Sequence, residues 1–268
     1  MTERAKKSMK TRAAIMISVL VVGMCSTGLS AAEKLYSGKV IKVLHVTGGG
    51  AHDYKTQSTL IPELIKARGD FKIDVIGPDW AVAKTELKKA GWSDGYDIVV
   101  YNICDAFNAD KALIDSITKV HTEGTTPAVI IHGSLHSFHW KMGKDKAKFE
   151  GEEWIKVVGI ASANHGRRAP ITVKTVKPDH PIMKGLPKEW KTPAGELYNS
   201  NDVLPSTTAL AMADNGNAKQ GPQVCIWVNK CGESKVFGTS IGHHSETIAT
   251  DIYGDMLVRG LLWACDKL

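Results

Sequence analysis

The amino-acid sequence predicts an α/β domain: a mostly parallel sheet with helices on both faces and an antiparallel extension. Two observations lead there. Short, near-continuous apolar strands alternate with amphipathic helices through the first half, as parallel strands buried on both faces require. The second half is richer in strands, and a turn-sized gap between its last two reads as a hairpin.

Val40–Thr47 (VIKVLHVT) reads as a buried strand running into Gly48-Gly49-Gly50. Leu60, Ile61, Leu64 and Ile65 share one face of a helix over Ser58–Ala67, with Gly69 just beyond it. Phe71–Ile76 is a second strand and Ile98–Asn102 a third. Ala109–His121 is helical, with Leu113, Ile117 and Val120 on one face, and Ala128–His132 is a fourth strand. A helix ends within Trp154–Ile160. Ile171–Val176, Thr207–Ala213, Val224–Asn229 and Lys235–Ser240 read as strands, Lys230–Ser234 as the hairpin turn, and Thr250 as the cap of a last helix reaching Cys265.

The chain carries 34 basic and 28 acidic residues, a formal charge of +6, which raises the question of a nucleic-acid or membrane partner. Much of that excess sits in the first twelve residues, where Arg4, Lys6, Lys7, Lys10 and Arg12 face only Glu3. The apolar run Ala13–Met24 follows, then Ser30-Ala31-Ala32. This order of basic, apolar and small residues reads as a secretory signal over 1–32, cleaved before Glu33. The run is too short to span a bilayer. The remaining domain, 33–268, holds 29 basic and 27 acidic residues. No basic helix or aromatic–basic stripe accompanies them, so neither a nucleic acid nor a stable membrane span is expected, and the location is exported, periplasmic or extracellular. Five cysteines are too few for a disulfide scaffold of this length. The pairing of Cys104, Cys225, Cys231 and Cys265 cannot be read, although Cys225 and Cys231 on one extended strand stand too far apart to bridge.

Ligands of open α/β sheets bind beyond the carboxyl ends of the strands. Gly48-Gly49-Gly50-Ala51-His52-Asp53-Tyr54-Lys55-Thr56 nearly imitates a P-loop, but Tyr54 stands where the second glycine must be. Its glycines permit close backbone approach to a ligand, and His52 and Asp53 face a site or, for Asp53, cap a helix. His132, His136 and His139 follow the fourth strand. His132 points into the crevice, while His136 and His139 read as structural. Ser134 lacks the Gly-x-Ser-x-Gly context of a hydrolase nucleophile. In Gly242-His243-His244, His243 is preferred because adjacent extended residues point oppositely. Glu196 and Tyr198 project from one side of a strand, and Glu196 suits acid–base work or metal ligation. His165 and the Arg167-Arg168 pair come next, an arginine pair suiting an anionic or hydroxyl-rich substrate. Trp80, Trp92, Trp140 and Trp190 lie in polar surroundings and are candidates for a sugar-facing wall, whereas Trp154, Trp227 and Trp263 read as core.

Several segments taken together resemble the ThuA-like (trehalose-utilisation) family: the strand leading to His52-Asp53-Tyr54, the strand ending Ile131-His132, Val173 with Asp179-His180-Pro181-Ile182, Glu196-Leu197-Tyr198, and Val236-Phe237 with Gly242-His243. The likeness covers about Lys39 to Lys267. It implies a flavodoxin-like fold similar to class I glutamine amidotransferases, and a role in sugar metabolism. Amidotransferases carry a cysteine at the elbow where this chain has His132, so glutaminase chemistry is not expected. Family members most often read Gly-Ile-His-Ala there, and this chain reads Ile130-Ile131-His132-Gly133. Where many have His-Pro, it has His165-Gly166.

The expected function is an exported carbohydrate-processing enzyme acting on a sugar or keto-sugar glycoside as isomerase, lyase or hydrolase. His132, His243 and Glu196 are the catalytic candidates. His52, Asp53, Tyr198, His165 and Arg167 are the candidates for binding a small-molecule carbohydrate. His132 and His243 could hold a divalent metal, zinc or manganese, that polarises a carbonyl. The rival readings are a non-catalytic carbohydrate-binding module and a metal-dependent deacetylase.

Overall fold

The computed structural model describes residues 34–138 and 153–268. The expected signal segment, His139 and Trp140 lie outside the described residues. Strand β1 (Tyr36–Gly49) starts earlier and ends later than its apolar run. Its last two residues are Gly48 and Gly49, at φ +141° and +115°. A Cβ on Gly49 would stand 2.1 Å from the Cys104 carbonyl oxygen. Gly48 and Gly49 therefore serve the close approach of neighbouring backbone, whereas a Cβ at Gly50 would meet nothing within 4 Å. Helix α1 (Tyr54–Lys66) also starts early, because the Asp53 carboxylate accepts the Thr56 N–H at 3.2 Å and caps it. After β2 (Gly69–Ile76) comes α2 (Trp80–Leu87), a helix the apolar pattern does not announce. Asp79 caps it by accepting the N–H groups of Ala81 and Val82, at 3.0 and 3.2 Å. Strand β3 (Ile98–Cys104), α3 (Lys111–Thr122) and β4 (Ala128–Ile131) follow close to expectation.

From residue 153 onward lie α4 (Glu153–Val158) and a run of strands: β5 (Ile160–Ala161), β6 (His165–Arg168), β7 (Thr172–Thr175), β8 (Glu189–Lys191), β9 (Glu196–Tyr198), β10 (Asp202–Val203), β11 (Thr207–Asp214), β12 (Gln223–Cys231) and β13 (Ser234–Thr239). The short α5 (Ser245–Ile248) and α6 (Asp251–Ala264), capped by Thr250, complete the described elements.

Among the described residues nine strands form one sheet in the order β2-β1-β3-β4-β13-β12-β11-β7-β8. The first five run parallel, which is the flavodoxin-like order once β13 is counted as the fifth parallel strand. Pairing turns antiparallel at the β12–β13 hairpin, whose turn is Gly232-Glu233, and stays so to β8. The expected parallel centre and antiparallel extension thus share one sheet. On one face Ile61 and Ile65 of α1 pack with Leu257 and Leu261 of α6. On the other, Leu113 and Ile117 of α3 pack with Trp154 and Val157 of α4. Trp154 and Trp227 are fully buried, and their indole N–H groups donate to the Ser134 and Val158 carbonyls, both at 2.8 Å. Cys104, Cys225, Cys231 and Cys265 are free thiols. Among the described residues no helix is long and apolar enough to cross a membrane.

Two predictions follow from the core. Replacing a helix glycine by alanine ordinarily gains about 1 kcal/mol. At Gly260 in α6, however, the new Cβ would lie 2.2 Å from the fully buried Phe237 ring. Overpacking of this kind costs roughly 1–3 kcal/mol, so Gly260→Ala is expected to lower the melting temperature by a few degrees. The second concerns His121. Its Nδ1–H donates to the Thr126 carbonyl at 2.6 Å, and the Tyr101 hydroxyl donates to its Nε2 at 2.8 Å. Burial lowers its pKa from 6.5 to about 4, against the opposing Thr126 hydrogen bond. The unfolded chain therefore takes up a proton below pH 6.5 that the folded chain refuses until about pH 4. This stabilisation is complete above the unfolded value and is lost as pH falls through that window, by about 3 kcal/mol. His121→Asn should flatten the pH dependence of urea midpoints between those values.

Candidate functional site

Three parallel strands each deliver one histidine at their carboxyl ends. The loop after β1 carries His52, the residue after β4 is His132, and His243 follows β13 by way of Gly242. His132 holds φ +35°, a left-handed conformation rare for a side-chain-bearing residue, at the turn from β4 into a 3-10 helix over His132–His136. A Cβ on Gly133 would meet the Tyr54 hydroxyl at 2.7 Å and the His52 ring at 3.0 Å, so glycine here lets His52 come close. The fourth member arrives from outside the parallel strands. Glu196 opens β9, which pairs antiparallel with β6 in a separate two-stranded ribbon.

His52, His132, Glu196 and His243 converge, each offering one ligand atom, all within 4.8 Å of one another. His243 Nδ1 lies 3.3 Å from His132 Nε2 and 3.4 Å from Glu196 Oε2. His132 Nε2 stands 3.7 Å from the same carboxylate oxygen. Atoms about 2.0–2.1 Å from a tetrahedral zinc stand roughly 3.4 Å from one another, so these three spacings fit one small cation.

The proton positions agree with that fit. His132 Nδ1 lies 2.6 Å from the Ser240 carbonyl, which only accepts, so Nδ1 carries a proton and Nε2 is the nitrogen turned to the centre. His52 is oriented the same way by the Gly50 carbonyl, 3.0 Å from its Nδ1. Burial, and then the charge of His132, pull the His52 pKa down to about 3. The same two causes bring His243 to about 4. Both imidazoles are therefore neutral at pH 7 and able to ligate. Burial alone would raise the Glu196 carboxyl. The hydrogen bond and charge of His132, the charge of His243 and the Arg168 hydrogen bond overcome it and hold Glu196 well below the usual carboxylate range. Glu196 is thus an anion at any working pH, suited to ligation and ill suited to giving up a proton.

The other sequence candidates divide. Tyr198 reaches the cluster as its spacing from Glu196 predicts, its hydroxyl 3.5 Å from His52 Nε2 and its ring stacked 3.7 Å from that of His136. Burial, with Cys104 and Glu196 nearby, raises its pKa well above 10, so it stays a donor. His165 Nδ1 lies 3.4 Å from Glu196 Oε1. The arginine beside it on the carboxylate is Arg168, its Nε donating to Oε1 at 3.1 Å, while Arg167, the arginine expected to meet substrate, makes no contact with that carboxylate among the ion pairs of the described residues. The cause is a register irregularity in β6 between His165 and Arg168, which brings residues of odd separation onto one side of the strand. Asp53 is engaged as the α1 cap and accepts the Ser245 hydroxyl at 3.3 Å.

An open cleft of about 530 Å³ fronts the cluster, lined by His52, Asp53, Arg168, His243, Ser245 and Glu246 among others. None of Trp80, Trp92 or Trp190 is among the lining residues. Trp80 and Trp92 pack against one core and Trp190 against the other, so these three form no wall at this cleft. Ser134 donates to the Tyr101 carbonyl and accepts the Ile103 N–H, which occupies it structurally. Burial, and then Asp105, push the Cys104 thiol up to about 11, away from nucleophilic use.

Fold and cluster together define a flavodoxin-like α/β protein with a histidine–carboxylate centre at the carboxyl ends of its parallel strands. The chain belongs to the ThuA family, whose model, described as trehalose utilisation, matches residues 42–264. Its fold is similar to that of a ThuA-like protein from Parabacteroides merdae, at TM-score 0.64 and 18% identity, covering 85% of this chain and 90% of that one. A ThuA-like protein from Bacteroides uniformis aligns at TM-score 0.63 and 16% identity, over 84% and 91% of the two chains. Part of the β-galactosidase of Rahnella sp. R3 has a similar fold, at TM-score 0.57 and 14% identity over 85% of this chain and 32% of that one. No curated protein sequence matches the chain significantly.

Proposed function

We propose that the protein is an exported carbohydrate-processing enzyme that acts on a sugar or keto-sugar glycoside at the His52, His132, Glu196 and His243 cluster. The observation that carries this reading is the convergence of neutral imidazoles and an obligate carboxylate anion, at spacings of 3.3, 3.4 and 3.7 Å, beside an open cleft. The family description supports the choice of a sugar. A divalent metal at the cluster, for which three imidazoles favour zinc over manganese, supplies a Lewis acid for a sugar carbonyl or hydroxyl. Glu196 contributes the negative charge that offsets a cation there. Arg168, exposed on the far side of Glu196, holds that carboxylate and presents its remaining N–H groups for substrate hydroxyls. Tyr198, held protonated, offers a donor at the edge of the cluster. In the metal-free form of this reading, a keto group acidifies the neighbouring C–H and a neutral imidazole at the cluster accepts that proton; returning it to the adjacent carbon and oxygen gives isomerisation, and delivering it to the departing glycosidic oxygen gives elimination.

Protein dialysed against zinc is expected to retain about one ion per chain by elemental mass spectrometry, and His132→Ala and His243→Ala to lose it with unchanged far-UV circular dichroism. Retention by both variants would sink the metal-assisted form. Turnover is the broader check. Keto-sugar glycosides, free keto-sugars and acetylated sugars incubated with the protein should give an isomer or a released aglycone by NMR. Rates in Glu196→Gln should be lower by at least about 100-fold. Acetate release would favour the deacetylase, and binding without any product would favour the carbohydrate-binding module.

A further inference from the structure

His52 and His243 belong to different loops, yet their ring centroids lie only 4.8 Å apart. One turn of helix holds both loops. Gln57, fully buried in the first turn of α1, sends its side-chain nitrogen toward two carbonyls, those of Gly242 at 3.5 Å and His243 at 3.3 Å. Its side-chain oxygen accepts the Asn102 amide at 2.9 Å, at the carboxyl end of β3. Carbonyls only accept and the Asn102 nitrogen only donates, so the Gln57 amide has one permitted orientation. A second bridge comes from the same turn, where Asp53 accepts the Ser245 hydroxyl. Packing alone does not call for this arrangement. Leucine would fill such a site without a buried amide to satisfy, whereas each unmet group of the trio would carry the penalty of a buried, unpaired polar atom. Both bonded carbonyls belong to the segment that aims His243, and Gly242 in it has φ +136°.

We propose that Gln57 and Asn102 are positioning residues for the His243 imidazole, fixing its distance from His52 and His132. The inference rests on the metal-centre reading above. Misplacing a ligand through its supporting hydrogen bonds typically lowers metal affinity by about 10–100-fold. The test is zinc affinity, measured on the full chain by competition with a chromophoric chelator. Gln57→Leu is expected to weaken zinc within that range, and Asn102→Ala by about tenfold, since Gln57 then loses its orienting donor. The double variant should bind no more weakly than Gln57→Leu, because both changes break one chain of contacts. Gly260→Ala, destabilised away from the centre, should keep the parental affinity. Parental affinity in Gln57→Leu, with His243→Ala impaired, overturns the positioning role alone. A loss in Gly260→Ala equal to that in Gln57→Leu overturns it too, by showing general destabilisation. Parental affinity in His132→Ala and His243→Ala overturns the metal centre and the positioning role together. If Gln57→Leu does not fold, Asn102→Ala decides, with parental affinity counting against the proposal.

Discussion

The arrangement depends on one buried anion. Glu196 is almost inaccessible, with a side chain 4% exposed. A carboxylate in that position is costly unless paired and hydrogen-bonded. His132 and His243 face one of its oxygens, and His165 and Arg168 face the other. Each partner arrives on a different element or a different part of one: the β4 elbow, the loop after β13, and the two ends of β6. The strained backbone of His132, the glycine at 133 and the irregular pairing of β6 all place these groups around the carboxylate. Local irregularity is offset by one dense electrostatic cluster, a common bargain where chemistry is done.

Much of the architecture was legible because the central strands are buried on both faces and their residues say so. Ile98–Cys104 and Ala128–Ile131 carry hardly a polar interruption. The helix Trp80–Leu87 escaped because Ala81, Val82 and Ala83 make no clear stripe, and only Asp79 marks its start. The apolar period of helix α1 begins only near Ser58, which places its start too late. Its first turn faces the histidine loops, so its buried residue is a glutamine and no hydrophobic period reveals it. The candidate site was legible in part for the same reason as the strands: the carboxyl-end rule selects His52, His132 and His243 with no knowledge of their distances. That Glu196 joins them depends on the pairing of a short ribbon outside the main sheet, which local sequence does not encode. The two arginines show the limit most clearly. Strand alternation puts Arg167 on the side of His165, and a single irregularity in β6 puts Arg168 there instead.

The cluster also separates two kinds of histidine. His121 is deeply buried, with both ring nitrogens committed to Tyr101 and Thr126. It stabilises the fold and has nothing left to offer a ligand. His132 and His52 each spend one nitrogen on a backbone carbonyl and leave the other facing the centre. Low basicity, which His121 and His52 share, therefore does not distinguish an imidazole facing the cluster from a structural one. The second ring nitrogen, and what it faces, does.

The β12–β13 hairpin has a consequence in time as well as in space. Strand β13 is the last of the five parallel strands in sequence, and it pairs with β4 more than a hundred residues before it. Contacts of such separation form late, since the intervening chain must be ordered before they are rewarded. Until that hairpin docks, His243 is remote from His52 and His132, and the nascent chain has no assembled set of ligands with which to capture a cation. Any cation the cluster takes would therefore be captured only once nearly the whole domain has folded, so loading would report completed folding.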